Sequence, residues 1–148
     1  MIADYNAASV ALTLDFAKSG GLIPAIIQHH ATGEVLMLGF MNAQSLAETQ
    51  RSGQVTFFSR SRNQLWKKGE SSGHILQVRE ILTDCDTDAL LIRVESLGPG
   101  VCHEGYRSCF FRRLENTSDA ASGEHLTATV IAEKTFDPAA VYAQEKKS

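Results

Sequence analysis

The chain of 148 residues has the length of a single domain, and its 43% hydrophobic content is enough to build an independent core. Its formal net charge of -3 argues against broad nucleic-acid binding, which usually requires a basic face. No apolar run approaches the roughly 20 residues that span a membrane, and the N-terminus lacks the features of a secretory signal, so we expect a cytoplasmic protein without membrane partners.

The first half of the chain contains residues that typically begin and end helices. Gly20 and Gly21 are expected to end a short helix, and Asn42 is expected to cap a helix that ends at Gly53. In chain order we predict a helix over residues 12–19, strands over 25–28 and 34–40 around a turn, a helix after Asn42, a strand over 54–60 and a polar loop over 61–73.

The second half alternates apolar segments with breakers, the strongest of which is Gly98-Pro99-Gly100. In chain order we predict strands over residues 74–83, 89–95 and 106–114, a surface connection over 116–123, a last strand over 126–132 and a terminal helix opened by Pro138. These elements predict a β-rich α+β domain with a few short helices.

All three cysteines fall in two short stretches that also contain acidic residues and a histidine. Cys102 and Cys109 are separated by a loop containing Gly105, and Cys85 could supply a third sulfur. Three thiolates would leave a fourth zinc position for water, as in a catalytic site. His103, beside a proposed ligand, is the candidate base. The alternatives are that the cysteines are small buried hydrophobic residues and that the histidine faces solvent.

Three aspartates spaced two apart precede a strand-like segment. Together with Glu95 they match the acidic positions of an EF-hand calcium loop, but Ala89 occupies the position that requires glycine. Gly98-Pro99-Gly100 also blocks the helix that must follow such a loop. On an extended segment the carboxylates would share one face and Cys85 would lie on the other. The candidate magnesium ligands are Asp84, Asp86 and Asp88; the alternative is a turn without metal.

The predicted loop before these stretches combines basic, hydroxyl and glycine residues, which suit a phosphate group. Trp66, the only tryptophan, could stack on a flat ring. The segment therefore favours a phosphorylated aromatic substrate, although a solvated basic hairpin with Trp66 in the core is the alternative. The candidate substrate-binding residues are Arg60, Arg62, Trp66, Lys68, Glu70 and Ser72.

Six motifs in order resemble those of phosphoribosyl-AMP cyclohydrolase, a family of histidine biosynthesis, over residues 21–114. They are Thr32-Gly33-Glu34-Val35-Leu36-Met37-Leu38, Phe40-Met41-Asn42, Ser59-Arg60-Ser61-Arg62, Trp66-x-Lys68-Gly69-Glu70-x-Ser72-Gly73, Asp84-Cys85-Asp86-x-Asp88 and Cys102-His103-x-Gly105-x-x-Ser108-Cys109-Phe110.

The resemblance implies catalytic zinc on Cys85, Cys102 and Cys109 and magnesium on Asp84, Asp86 and Asp88. It also implies a pseudobarrel-like mixed sheet and a homodimer whose zinc ligands come from both chains. The implied reaction opens the adenine ring of 1-(5-phosphoribosyl)-AMP between N1 and C6 by attack of a zinc-activated water, with His103 moving protons.

The resemblance assigns residues 1–115 to the family domain and leaves residues 116–148 as an extension packed on it, without an assigned function. The extension is too short for the pyrophosphohydrolase domain often fused behind this family, so we expect a monofunctional chain. Two alternatives remain: a zinc-stabilised dimer that binds a nucleotide without catalysis, and an enzyme acting on a related purine nucleotide. A zinc nucleobase deaminase is disfavoured because its Pro-Cys-x-x-Cys signature is absent.

Overall fold

A four-stranded mixed sheet forms the centre of the computed structural model, which describes residues 8–116 and 123–142. The strands are β1 (Ile23–His29), β2 (Val35–Met41), β3 (Thr56–Ser59), β4 (Gln64–Lys67), β5 (Ile75–Thr83), β6 (Leu90–Leu97), β7 (Arg112–Leu114) and β8 (Ala128–Val130). The helices are α1 (Ala43–Ser52) and α2 (Pro138–Val141), preceded by a 3-10 turn at Ala17–Ser19.

The order of the central sheet is β2-β1-β6-β5. β1 pairs antiparallel with β2 and parallel with β6, and β5 pairs antiparallel with β6. Alternate residues of the two middle strands are buried, as the two-residue repeat of a strand requires. They are Ile23, Ala25, Ile27, Leu90, Ile92 and Val94. The prediction of a β-rich α+β fold with a mixed sheet is confirmed.

Both predicted ends of α1 are confirmed by their hydrogen bonds. The Asn42 side chain accepts from the Ser45 backbone N–H at 2.8 Å, and the Ser45 hydroxyl accepts from the Asn42 N–H at 2.9 Å. At the other end Gly53 adopts the left-handed conformation and donates its N–H to the Thr49 carbonyl. The buried Thr49 hydroxyl accepts from the Thr56 N–H at 3.0 Å, which fixes α1 to β3.

The prediction of a loop over residues 61–73 is wrong in its first half, because β4 pairs with β3 in a hairpin. Asn63, with φ of 51°, makes the left-handed turn between the two strands. Trp66 then lies opposite Phe57, with ring centroids 5.1 Å apart. The structure therefore agrees with the alternative interpretation of this segment as a hairpin, with Trp66 packed against the core.

The predicted helix over residues 12–19 is reduced to the 3-10 turn Ala17–Ser19, although Gly20 does end it as expected. The backbone before this turn bonds to a distant part of the chain instead, since the Asp15 N–H donates to the Thr87 carbonyl at 2.8 Å. An eight-residue helix has little stability of its own, so such a tertiary bond is enough to override it.

The predicted strand over residues 106–114 is also wrong for most of its length, because only Arg112–Leu114 is extended and paired. The earlier residues form a loop held by the Cys109 N–H, which donates to the Leu36 carbonyl at 2.7 Å. The predicted last strand shortens to Ala128–Val130, and Pro138 opens α2 as expected.

The predicted connection over 116–123 falls mainly on residues 117–122, outside the described residues. None of the helices in residues 8–116 and 123–142 combines the length and apolarity needed to cross a membrane.

Candidate metal and nucleotide site

Residues 101–109, hereafter the cysteine loop, fold back on themselves. The Cys102 N–H donates to the Tyr106 carbonyl at 3.1 Å, and the Gly105 N–H donates to the Cys102 carbonyl at 3.0 Å. The loop is fixed to β2, where the Ser108 hydroxyl donates to the Val35 carbonyl at 2.8 Å. The returning backbone brings the two cysteines of the loop to one place.

Cys102 and Cys109 lie beside each other, and Lys68 lies beside both. Burial, and then the neighbouring Cys102, raises the pKa of the Cys109 thiol to about 11, while the Lys68 ammonium opposes this rise. Burial lowers the pKa of Lys68, and the two cysteines act in the opposite direction. At neutral pH Cys109 therefore stays a thiol, and a zinc ion binding to its sulfur would have to displace the proton.

A cavity of about 260 Å³ opens between the β3–β4 hairpin, the turn that follows it and the cysteine loop. His103, an exposed residue of the cysteine loop, lines it. Five of the six predicted substrate-binding residues also line this cavity: Arg62, Trp66, Lys68, Glu70 and Ser72. The sixth, Arg60, lies outside it, with its guanidinium 5.2 Å from the centre of the Phe40 ring.

A glycine-rich turn positions the polar end of the cavity. The Gly73 N–H donates to the Gly69 carbonyl at 2.7 Å, and the Glu70 N–H donates to the Lys67 carbonyl at 3.1 Å. Gly69 has a φ of +90°, and a Cβ there would lie 2.6 Å from the His74 carbonyl oxygen. Any side chain at position 69 would clash with this backbone, so the turn requires glycine. The turn places Glu70 and Ser72 at the cavity.

The three aspartates converge, but the predicted extended conformation is wrong. Residues 84–88 form a turn in which Thr87 is left-handed, with φ of 57°. The Asp84 carboxylate accepts the backbone N–H groups of Asp88 and Ala89 at 3.1 and 3.3 Å, which closes the turn. One carboxylate oxygen from each of Asp84, Asp86 and Asp88 lies within 4.8 Å of the others. This all-oxygen set suits a hard divalent cation such as magnesium.

Lys18 reaches the same turn from the N-terminal segment. Its ammonium lies 2.6 Å from a carboxylate oxygen of Asp88. The hydrogen bond from Lys18 is the main reason that the pKa of Asp88 lies below its usual value. Lys18 thus supplies positive charge to a cluster of carboxylates, the role that a bound cation would also fill.

Cys85 lies apart from the other two cysteines in this chain. It is exposed on the turn of residues 84–88, whereas Cys102 is buried and Cys109 half-buried. Among the described residues, the three aspartates are the one group of at least three histidine, cysteine or acidic side chains close enough to share a metal ion. A single chain therefore brings together two of the three predicted zinc ligands and leaves Cys85 at the surface.

Besides Lys18, two further contributors to this region were not predicted from the sequence. His74 is buried and donates from Nδ1 to the Gly100 carbonyl at 2.9 Å, which ties β5 to the start of the cysteine loop. Tyr142 lines the same cavity as His103. A lone histidine and a tyrosine near the C-terminus carry no spacing signal, because their partners lie far away in the sequence.

Comparison with known proteins gives consistent matches. Residues 37–111 match the family model for phosphoribosyl-AMP cyclohydrolase. A phosphoribosyl-AMP cyclohydrolase from Solibacter usitatus is 57% identical over 131 residues, which cover 88% of this chain and 97% of that relative. One from Geobacter sulfurreducens is 54% identical, covering 88% and 98% of the two chains. The chain belongs to the phosphoribosyl-AMP cyclohydrolase family.

Proposed function

We propose that this protein hydrolyses the adenine ring of 1-(5-phosphoribosyl)-AMP between N1 and C6, the third step of histidine biosynthesis. Family membership supports the coarser statement: the protein is a phosphoribosyl-AMP cyclohydrolase, a hydrolase acting on a C–N bond. The observation that carries the finer proposal is the single cavity lined by the predicted substrate residues and His103, with Lys68 linking it to Cys102 and Cys109.

The cavity offers the groups that a phosphorylated purine nucleotide requires. Arg62 and Lys68 can donate to phosphate oxygens, and Ser72 can add a hydroxyl donor. Trp66 can present an aromatic face to the purine, with the Lys68 ammonium 5.8 Å from its ring centre. Glu70 can accept from ribose hydroxyls.

His103 is the residue to which we assign proton transfer. It follows Cys102 directly in the chain and lines the cavity, so its imidazole can face both a reacting water and the purine. An imidazole can both accept and donate a proton through its ring nitrogens, so His103 can take a proton from the attacking water and deliver it to N1 as the C6–N1 bond breaks.

Cys102 and Cys109, with Cys85, would hold zinc, and Asp84, Asp86 and Asp88 would hold magnesium. The donor types fit both ions, since thiolates suit zinc and a carboxylate cluster suits magnesium. Zinc, when bound, would lower the pKa of a water molecule. Lys68 can offset the negative charge of two thiolates.

A homodimer would complete the zinc set by placing Cys85 of one copy next to Cys102 and Cys109 of another. Two features of the surface support this. Exposed apolar side chains cover β2 and the strand pair near the cysteine loop, including Val35, Leu38, Phe40, Phe110, Leu114 and Val130. The cavity of one chain, about 260 Å³, is also below the roughly 300–1,000 Å³ of typical ligand sites.

We further propose that residues 1–115 form the family domain, that residues 116–148 extend it, and that the protein acts in the cytoplasm. Two contacts support an extension that packs on the domain: β8 pairs with β7, and the Thr135 N–H donates to the Gly105 carbonyl. The alignment with the Solibacter usitatus relative spans 131 of 148 residues and so includes part of this extension. Free cysteines suit a reducing compartment.

The test is turnover of phosphoribosyl-AMP by protein loaded with zinc and magnesium, followed by the ultraviolet change as the purine opens. We expect turnover by the native protein. His103→Ala should retain its zinc and lose about 10²- to 10⁴-fold in kcat, the usual contribution of a general acid–base residue. If metal-loaded protein binds the nucleotide without turnover, it is a nucleotide-binding protein rather than a cyclohydrolase. Full activity in His103→Ala would exclude the assigned role of that residue.

A further inference from the structure

The segment before the C-terminal residues, 134–142, is attached to the cysteine loop. The Gly105 carbonyl accepts the N–H of Thr135 at 2.8 Å and that of Phe136 at 3.4 Å. The Phe136 ring packs edge-on against the His74 ring at 4.8 Å, and His74 is itself bonded to the Gly100 carbonyl. The segment is therefore fixed to the middle of the cysteine loop and, through His74, to the residue that precedes the loop.

A short helix continues from this attachment to the cavity. The Asp137 carboxylate caps α2 by accepting the Ala139 N–H at 3.0 Å, and Pro138 occupies its first turn. Tyr142 follows the last residue of this helix, and its N–H donates to the Pro138 carbonyl at 2.9 Å. These local bonds carry the Tyr142 side chain to the cavity that His103 also lines.

We propose that Tyr142 is a substrate-binding residue that forms an aromatic wall for the purine. A tyrosine ring is a flat apolar surface, and its negative face attracts a cationic ring. Adenine substituted by ribose at N1 carries a positive charge, which distinguishes this substrate from an ordinary adenine nucleotide. Trp66 lines the same cavity, so the site offers two aromatic side chains from segments far apart in the sequence.

This assignment rests on the proposed function, because it names a contact to the same substrate at the same site. The ring rather than the hydroxyl should bind the purine. Tyr142→Phe is therefore expected to keep the native KM. Tyr142→Ala is expected to raise KM about five- to thirtyfold, the range of one cation–aromatic contact, with kcat changed much less. Val141→Ala, which shortens the preceding side chain in the same segment, is the matched control and should retain the native KM.

A second measurement does not depend on turnover. Trp66 is the only tryptophan, so its fluorescence can report the binding of adenosine monophosphate. Tyr142→Ala should weaken this binding by severalfold, because stacking on an uncharged purine remains favourable, and Val141→Ala should not. Thermal unfolding of each variant identifies any loss of folded protein.

The two proposals can fail separately. Turnover by native protein with equal KM in Tyr142→Ala would overturn the role of Tyr142 and leave the proposed function intact. Weakened nucleotide binding in Tyr142→Ala, without turnover by native protein, would support Tyr142 and overturn the proposed function. Equal effects of Tyr142→Ala and Val141→Ala would reduce Tyr142 to a structural role and overturn the inference.

Discussion

At the scale of single residues, the buried Cys109 thiol is expected to make the stability of the protein depend on alkaline pH. Its folded-state pKa of about 11 exceeds the value near 8.5 of an unfolded thiol, so the folded state holds its proton more firmly. This stabilisation is fully present below about pH 8.5 and is lost as the pH rises through about 11. We expect the free energy of unfolding of chelator-treated protein to fall by at most about 1.4 kcal/mol per pH unit over that window.

Urea unfolding between pH 8 and 10.5 tests this expectation. Cys109→Ser is the matched control, because serine has a similar shape and does not titrate in this range. The difference in stability between the two proteins should shrink or reverse as the pH rises. Parallel pH profiles would show that Cys109 has no elevated pKa in the folded protein.

The candidate metal ligands could be selected from the sequence because each residue type has a narrow chemical use. Clustered cysteines and alternating aspartates suit metal ions by their donor atoms, and the three aspartates do converge, though on a turn rather than a strand. Lys18 was not predictable, because its partner Asp88 lies 70 residues away in the sequence. A sequence pattern indicates which side chains suit a ligand, but a contact over that distance depends on the complete fold.

At the scale of elements, α1 was predictable at both ends because its start and stop signals are local. Asn42 and Gly53 act within one helical turn, and both take the expected conformations. β4 was missed because its stability comes from pairing with β3 and from the contact between Trp66 and Phe57. Strand propensity is a weak guide wherever cross-strand packing decides the outcome.

Gly105 is the position where the cysteine loop and the C-terminal segment depend on each other. Its φ is +100°, and an added Cβ would lie 2.7 Å from the Phe136 carbonyl oxygen and 3.0 Å from Pro138 Cδ. Gly105→Ala should therefore lower the free energy of unfolding by about 1–3 kcal/mol, the usual cost of strain and overpacking. It should also raise KM, because the displaced segment carries Tyr142. Calorimetry and steady-state kinetics measure the two effects.

Gly123→Ala is the matched control for this substitution. No atom lies within 4 Å of an added Cβ at Gly123, so the variant should unfold and react like the native protein. If Gly105→Ala matched Gly123→Ala in stability, the close packing of the C-terminal segment on the cysteine loop would be wrong.

At the scale of the whole molecule, one chain is insufficient for the proposed zinc site. Cys102 and Cys109 lie together, whereas Cys85 is exposed on another turn. An apolar cavity that includes Leu82 and Leu90 lies beside Asp84 on that turn, where a second copy could pack. The sequence indicates which residue types suit the proposed zinc site, but it does not indicate which chain would supply each ligand, because that would depend on how two copies associate.

Mixing inactive variants tests the shared site. Cys85→Ser and Cys109→Ser homodimers should each lose zinc and activity, because every site lacks one thiolate. A heterodimer of the two contains one site with all three cysteines, and half of the dimers in an equal mixture are heterodimers. Refolding the mixture together should therefore restore about one quarter of native activity and zinc content.

A mixture of Cys102→Ser and Cys109→Ser should restore neither, because those two ligands come from the same chain. Equal recovery in both mixtures, or full activity in a monomer on gel filtration, would contradict a zinc site shared between chains.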